Sequence, residues 1–219
     1  MSKYLKVLIG IFLVCILSAC RYFLRPKGDF IEQVLGSYNY SDSTTSYNGR
    51  FLLHSYKKEL SFDLYGPFHI LAGSVRLAED SALVYLPLEQ TLAILNVDDE
   101  LPFEGWSLPI AFLAAAYLGQ KPPKPDSSFL KQDSMFIFKN GIEYIFFPDE
   151  ELSKIRTPEW FLERNGRMEI NPSHPRRIRF VKPDSELQLE FGEAEFVEKS
   201  PEQIFKLVIP EGIEVLDFR

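Results

Sequence analysis

The sequence predicts a mainly β protein in which about eleven antiparallel strands and one apolar helix share a core. Three observations carry this. From Arg50 onward the chain breaks into segments of about seven to nine residues, "RFLLHSY", "ELSFDLY", "HILAGSVRL", "ALVYLPL" and "TLAILNV", parted by charged or turn-forming residues. Several of them alternate: Leu60, Phe62 and Leu64 fall on one face, Ser61, Asp63 and Tyr65 on the other, the period of a strand with two unlike sides. The pattern breaks once, at 108–123, for an alanine-rich stretch with proline early and glycine late, which is helix punctuation. Short connections argue antiparallel neighbours. A sheet of about eleven strands will not stay flat, so it curls into a barrel, complete or open, or splits into a sandwich.

The N-terminus is a separate matter. Lys3 and Lys6 make a positive start, and the apolar run from Val7 to Ala19 is about 13 residues, well short of the roughly 20 that a membrane-spanning helix needs. Small residues Ser18 and Ala19 precede Cys20. These features predict an export signal over 1–19; the alternative is a signal-anchor helix in which Cys20 is an ordinary cysteine. Leu17-Ser18-Ala19-Cys20 also resembles the bacterial lipoprotein box, which implies cleavage before Cys20 and lipidation of that residue. Arg21 stands where, in enteric-type bacteria, an aspartate would favour retention in the inner membrane. The expected location is therefore the outer membrane of a Gram-negative bacterium, lipid-anchored and facing the periplasm.

Residues 20–29 are expected to form a tether and 30–219 the folded domain. Phe30–Leu35 reads as one or two helical turns, and the polar "SYNYSDSTTSYNG" at 37–49 as a loop or weak edge strand. After the strands of 50–96, the helix near 108–118 is apolar nearly all round, so most of its sides must be covered. "SMFIFKN", Gly141 and "EYIFFP" read as a hairpin, "DEELSKIRTP" at 149–158 as a linker, and Asn165-Gly166 as a second hairpin turn. "RRIRFVK", "ELQLEFGEAEFVE" and "IFKLVIP" supply the last strands.

Composition excludes several classes. The net charge of −7 disfavours nucleic acid and anionic surfaces as general partners. Cys15 leaves with the signal and Cys20 is spent on the anchor, so no internal disulfide is expected. His54, His69 and His174 lie far apart without a metal-like pattern, and no nucleophile elbow, Walker loop or dinucleotide fingerprint is present. "VDDE" at 97–100 and "PDEE" at 148–151 cluster carboxylates without calcium-loop spacing and read as solvated turns, although paired acids could serve a glycosidase. Basic "HPRRIR" at 174–179 reads as the start of a strand. No catalytic residue, metal or cofactor is expected. What remains is apolar abundance, 19 Phe and 10 Tyr. These residues either fill a core or line a cavity that a curled sheet leaves unfilled.

"ELSFDLYGPFHILAGSVRLAEDSALVYLP" at 59–87, "GWSLPIAFLAAAYLGQKP" at 105–122 and the ending "FKLVIPEGIEVLDF" at 205–218 resemble, in that order, parts of the LolB/LolA-like superfamily of outer-membrane lipoprotein receptors and carriers. The resemblance implies an open, half-closed antiparallel barrel with a helical lid over an apolar cavity. It also implies binding of lipoprotein acyl chains, or of other lipids, and their delivery to the outer membrane by a monomeric, non-enzymatic protein served by a periplasmic carrier. Position by position, Trp106, Leu108, Pro109 and Ile110 match the entry of the lid helix, and Gly66, Pro67 and Phe68 the strand turn. The cavity and lid residues it implies are Phe62, Leu64, Phe68, Trp106, Leu108, Ile110, Phe112, Leu113, Phe136, Phe138, Tyr144 and Phe146. "YGPFHIL" at 65–71 is the candidate for the exposed apolar loop by which LolB inserts its cargo. The tail after Pro210 is closer to uncharacterised lipoprotein relatives, which leaves the cargo open between lipoprotein, another lipid and a lipid-linked glycan. The alternative is an accessory or scaffold lipoprotein of the same fold that binds an envelope protein.

Overall fold

Alternating side chains and short turns build one long sheet in the computed structural model, which describes residues 30–219 except 79–80, 97–99, 104–105, 123–124, 132–133, 150, 170 and 199. The expected signal peptide, Cys20 and the tether lie outside the described residues. A first meander comprises β1 (Ile31–Asp42), β2 (Ser46–Tyr56), β3 (Glu59–Tyr65), β4 (Leu71–Leu77), β5 (Ser81–Leu86) and β6 (Thr91–Asn96). A small separate hairpin follows, β7 (Glu100–Phe103) with β8 (Trp106–Pro109), and leads into helix α1 (Ile110–Leu118). The second meander is β9 (Ser127–Lys131), β10 (Ser134–Lys139), β11 (Ile142–Phe146), β12 (Leu152–Arg156), β13 (Phe161–Arg167), β14 (Pro175–Lys182) and β15 (Ser185–Val197). A short helix α2 (Pro201–Phe205) and strand β16 (Glu214–Asp217) end the chain.

The two meanders become one sheet because β1 pairs with β15 along nearly its whole length, from Ile31↔Val197 to Asp42↔Ser185. The order across the 14 strands is β16-β6-β5-β4-β3-β2-β1-β15-β14-β13-β12-β11-β10-β9. Every pair is antiparallel except β16 with β6. That exception follows from the route: after β15 the chain passes α2 against β3 and reaches the far edge of the sheet by a crossover rather than a hairpin. Among the described strands, edges remain at β9 and β16 and the sheet does not close. This is the expected open, mainly β architecture with a helix on its inner face, with more strands than the sequence indicated.

The extra strands have identifiable causes. Residues 30–35, expected as helical turns, and 37–49, expected as a loop or weak edge strand, instead supply β1 and the start of β2, a paired hairpin near the centre of the sheet. Their polar residues alternate with Val34, Tyr38, Tyr40 and Tyr47, and tertiary pairing on both sides of β1 overrides its weak local pattern. The hairpin tip is a local hydrogen-bonded turn: the amides of Thr44 and Thr45 donate to Asp42 Oδ1 at 2.7 and 2.8 Å. Trp106–Pro109 is strand β8 rather than helix entry, with Leu101 opposite Leu108. The expected linker at 149–158 contains β12, whose Leu152 and Ile155 are core residues. Asn165-Gly166 does not turn the chain. β13 runs through it, Asn165 pairing with Arg177 and Arg167 with Pro175. Gly166 takes φ +65° inside the strand, and the turn forms later, closed by Met168 N–H donating to His174 O at 3.1 Å. The hairpin at Asn140-Gly141 forms as expected, with φ +52° and +77°.

Gly36 marks where β1 crosses the core. A Cβ there would stand 2.1 Å from Phe51 Cζ and 2.5 Å from the Glu190 carbonyl oxygen. The Gly36→Ala variant is expected to lose about 3 kcal/mol through overpacking, measured by urea denaturation.

Candidate functional site

Helix α1 packs against β12, β13 and β14, and so fills only one wing of the inner face. Phe112 meets Trp160 at a centroid distance of 5.1 Å and Tyr144 at 6.5 Å, and Trp160 meets Phe180 at 5.4 Å. Rings therefore close this half. On the other wing Phe51 stacks on Phe62 at 4.6 Å and meets Phe191 edge-on at 5.3 Å, but among the described residues no side chain fills the space between β2–β5 and the helix. A cavity of about 490 Å³ remains there. Leu53, Leu60, Phe62, Leu64, Val75 and Leu86 line its sheet side, and Leu113, Ala114 and Tyr117 its helix side. The sheet residues point inward because each strand alternates. The volume lies within the range typical of sites for small ligands.

The cavity floor is fixed by a buried polar cluster. Tyr117, 2 % exposed, lays its ring against His174 at 4.3 Å and Phe191 at 5.0 Å. His174 Nδ1 lies 2.9 Å from Glu32 Oε2, and Asn171 Nδ2 donates to Glu32 at 3.3 Å. The Tyr117 hydroxyl makes no well-formed hydrogen bond, although the Glu32 carboxylate lies close enough to act on it. Burial first, and then the negative charge of Glu32, push its pKa far above the ordinary phenol value. Below the helix end, where Gly119 adopts φ +67°, buried Arg164 donates to Leu152 O at 2.7 Å and Ser173 O at 2.6 Å. Burial lowers its pKa from the ordinary arginine value. A cation at this position also complements the helix dipole. The C-terminal end of α1 is held on the β12–β14 wing by its packing there and by the Tyr117–His174 ring contact.

The cavity opens where the β1–β2, β3–β4 and β5–β6 connections meet. Tyr47, Gly66, Pro67 and Leu88 line it at this end. Beyond them stand Phe68, 93 % exposed, Ile70, and Leu88, 79 % exposed. Phe68 and His69 both hold φ +59°, a conformation unfavourable for bulky residues, and the turn is clasped by Gly66 N–H donating to Ile70 O at 2.9 Å. Tyr40 and Tyr47 stack at 6.1 Å beside it.

The residues expected from the sequence separate into groups. Phe62, Leu64 and Leu113 line the cavity. Phe112, Tyr144 and Phe146 belong to the filled wing and its core, because the helix divides the inner face of the sheet in two. Phe136 and Phe138 stack on Phe129 at 5.2 and 5.8 Å beside the β9 edge. Phe68 stands outside at the mouth. The backbone of Trp106, Leu108 and Ile110 is placed, but their side chains lie outside the description. Tyr38, Leu53, Val75, Leu86, Ala114, Tyr117 and Leu189 also line the cavity and were not singled out. Strand alternation pointed to several of them, but the sequence does not show which wing the helix leaves empty.

Among the described residues no group of His, Cys, Asp and Glu is arranged to hold a metal ion, and no helix is long and apolar enough to cross a membrane. Residues 97–99 of the first acidic cluster lie outside the description. In the second, Asp149 and Glu151 both pair with Arg167, the latter at 3.0 Å. The basic stretch forms β14, where Arg177 pairs with Glu190 and Arg179 with Glu186 at 2.9 Å.

No protein-family model matches the sequence, and no curated protein does. Solved structures do match the fold. A LolA superfamily protein from Nitrosomonas europaea superposes with a TM-score of 0.54 at 11% identity, over 84% of this chain and 93% of the other. A putative outer membrane lipoprotein-sorting protein domain from Vibrio parahaemolyticus gives 0.56 at 10% identity, over 86% and 94%. A DUF1329 family protein from Desulfovibrio piger gives 0.54 at 9% identity, over 82% and 91%. The chain shares the fold of these proteins, a mainly β, open antiparallel sheet.

The Tyr117 phenol is held protonated in the fold, so its contribution to stability is present in full below the ordinary value of 10.0 and declines as pH rises above it. The Tyr117→Phe variant is expected to lose less stability than the parent between pH ~7 and pH ~11, because it has no phenol to ionise. Paired urea melts at the two pH values measure this.

Proposed function

We propose that this protein is a non-enzymatic lipid carrier or receptor of the Gram-negative envelope. In this reading Cys20 anchors it to the periplasmic face of the outer membrane. It takes up acyl chains of lipoproteins or of other lipids and passes them to that membrane. The observation that carries the reading is the apolar cavity of about 490 Å³ that opens at a rim of exposed Phe68, Ile70 and Leu88. An enclosed cavity would suit a permanently held group. One that opens between apolar turn tips suits a ligand that leaves into an apolar phase. The folds shared with a LolA superfamily protein and a lipoprotein-sorting domain agree with this reading.

The energetics suit transfer. Each buried methylene is worth about 0.8 kcal/mol, so a chain of about 16 carbons brings on the order of 10 kcal/mol to either cavity or bilayer. Both phases give the same kind of gain, so the direction of transfer rests on small differences in packing and ordering. A cavity walled on one side by a sheet with free edges packs a chain less completely than a bilayer does. Phe68, on its strained turn, is placed to touch the bilayer while the mouth faces it.

A second reading, a scaffold that binds an envelope protein, is favoured by one feature. The edge strand β9 is exposed along its whole length and carries Phe129 and Leu130.

Native mass spectrometry of the full chain with Cys20→Ser, purified from bacterial periplasm, separates the two. Co-purified phospholipid or acylated peptide, lost in Leu113→Glu while circular dichroism is unchanged, is the outcome expected of a carrier. An apo mass that stays unchanged after incubation with lipopeptide would sink the carrier reading and leave the scaffold. Phe68→Ser is expected to leave loading intact and to slow unloading into vesicles about tenfold, followed with a fluorescent acyl probe.

A further inference from the structure

The strands that turn Tyr38, Leu64 and Leu189 into the cavity turn their alternate residues outward. Across β15, β1, β2 and β3 these form two registered rows: Gln188, Asn39 and Asn48 in one, and Glu190, Ser37, Arg50 and Tyr65 in the other. The strained turn at Phe68 and His69 bounds the same surface, and together they enclose a polar groove of about 580 Å³. This groove and the apolar cavity share Tyr38, Asn48, Gly66 and Pro67, so they lie on opposite sides of one thin rim.

Arg50 is the notable group in the groove. The arginines on the same face of neighbouring strands, Arg76, Arg177 and Arg179, each pair with a carboxylate. Arg50 has no ion-pair or hydrogen-bond partner among the described residues. The one carboxylate in the groove, Glu190, is engaged by Arg177, whose Nε donates to it at 3.0 Å. The groove is lined beside Arg50 by groups able to donate: the amides of Asn39, Asn48 and Gln188, the hydroxyls of Ser37 and Tyr65, and the His69 ring. An uncompensated cation among neutral donors matches an acceptor-only anion, and the forked guanidinium suits phosphate.

We propose that this outer groove is a phosphate-binding subsite that receives the headgroup of a phospholipid, one of whose acyl chains occupies the inner cavity. The inference rests on the lipid-carrier reading and narrows it to a phosphate-bearing amphiphile. The chain enters at the Tyr47–Leu88 mouth, and the headgroup folds over the Gly66–Pro67 edge toward Arg50.

The test uses the full chain with Cys20→Ser, loaded with a fluorescent fatty acid that is displaced by dipalmitoyl phosphatidylglycerol or by dipalmitoylglycerol, which has the same chains and no phosphate. The parent is expected to bind the phospholipid about tenfold more tightly. Arg50→Gln should erase that preference while leaving the dipalmitoylglycerol affinity unchanged, and Arg50→Lys should keep most of it. Equal parental affinities, or an Arg50→Gln variant that weakens both lipids alike, would overturn the subsite and leave the carrier reading standing. If neither lipid displaces the probe, the carrier reading fails and the subsite with it. Glycerol 3-phosphate, added alone in a calorimeter, distinguishes the source of the phosphate. Weak or absent binding supports a headgroup site, whereas binding as tight as the phospholipid's, abolished by Arg50→Gln, would replace it with a site for soluble phosphate compounds.

Discussion

A helix that is apolar all round must be covered on most of its sides, and a sheet that curls only halfway cannot cover them all. Helix α1 is such a helix, with Ile110, Phe112, Leu113, Tyr117 and Leu118 spread round its circumference and alanines between them. It settles against β12, β13 and β14, where Trp160 and Phe180 give its ring-bearing face a partner. The face with Leu113, Ala114 and Tyr117 is left looking across open space at β2–β5. The cavity is the volume the helix cannot fill from where it is anchored. A larger side chain at Ala114 would reduce it, and a smaller ring at Trp160 would loosen the helix itself.

The anchor explains why the helix does not slide inward to close the gap. Its C-terminal end is tied to the buried cluster of Arg164, His174, Glu32 and Asn171, whose polar atoms are satisfied mainly by one another and by backbone carbonyls. Moving Tyr117 toward the empty wing would forfeit its ring contacts with His174 at 4.3 Å and Phe191 at 5.0 Å. Ring contacts at one end thus maintain apolar incompleteness at the other.

How much of this was legible in the sequence varied with the locality of the signal. Strands β3–β6 and the Asn140-Gly141 hairpin could be read directly, because alternation and turn chemistry act over a few residues. The helix was legible from Pro109 and Gly119. β1 was not, since Tyr38 and Tyr40 are set among serines and asparagines and are held in a strand by partners far off in the chain. Asn165-Gly166 misled for a related reason: the local turn signal is outweighed by pairing with β14, and the glycine is used for its positive φ instead. The cavity was legible as an excess of aromatic and branched residues. Its position was not, because Phe112, Phe136 and Phe62 look alike until the helix has taken a side.

The β1–β15 pairing has a bearing on how the chain is made. β15 is nearly the last strand in sequence, and without it β1 has one neighbour instead of two. A nascent chain that stops before Ser185 holds two separate meanders, each with a raw inner edge and half a core. Contacts of such long sequence separation form slowly and only once both ends are free to meet. Completion of the fold therefore waits on its last long strand: each meander can pair locally, but the continuous sheet exists only once β15 has met β1.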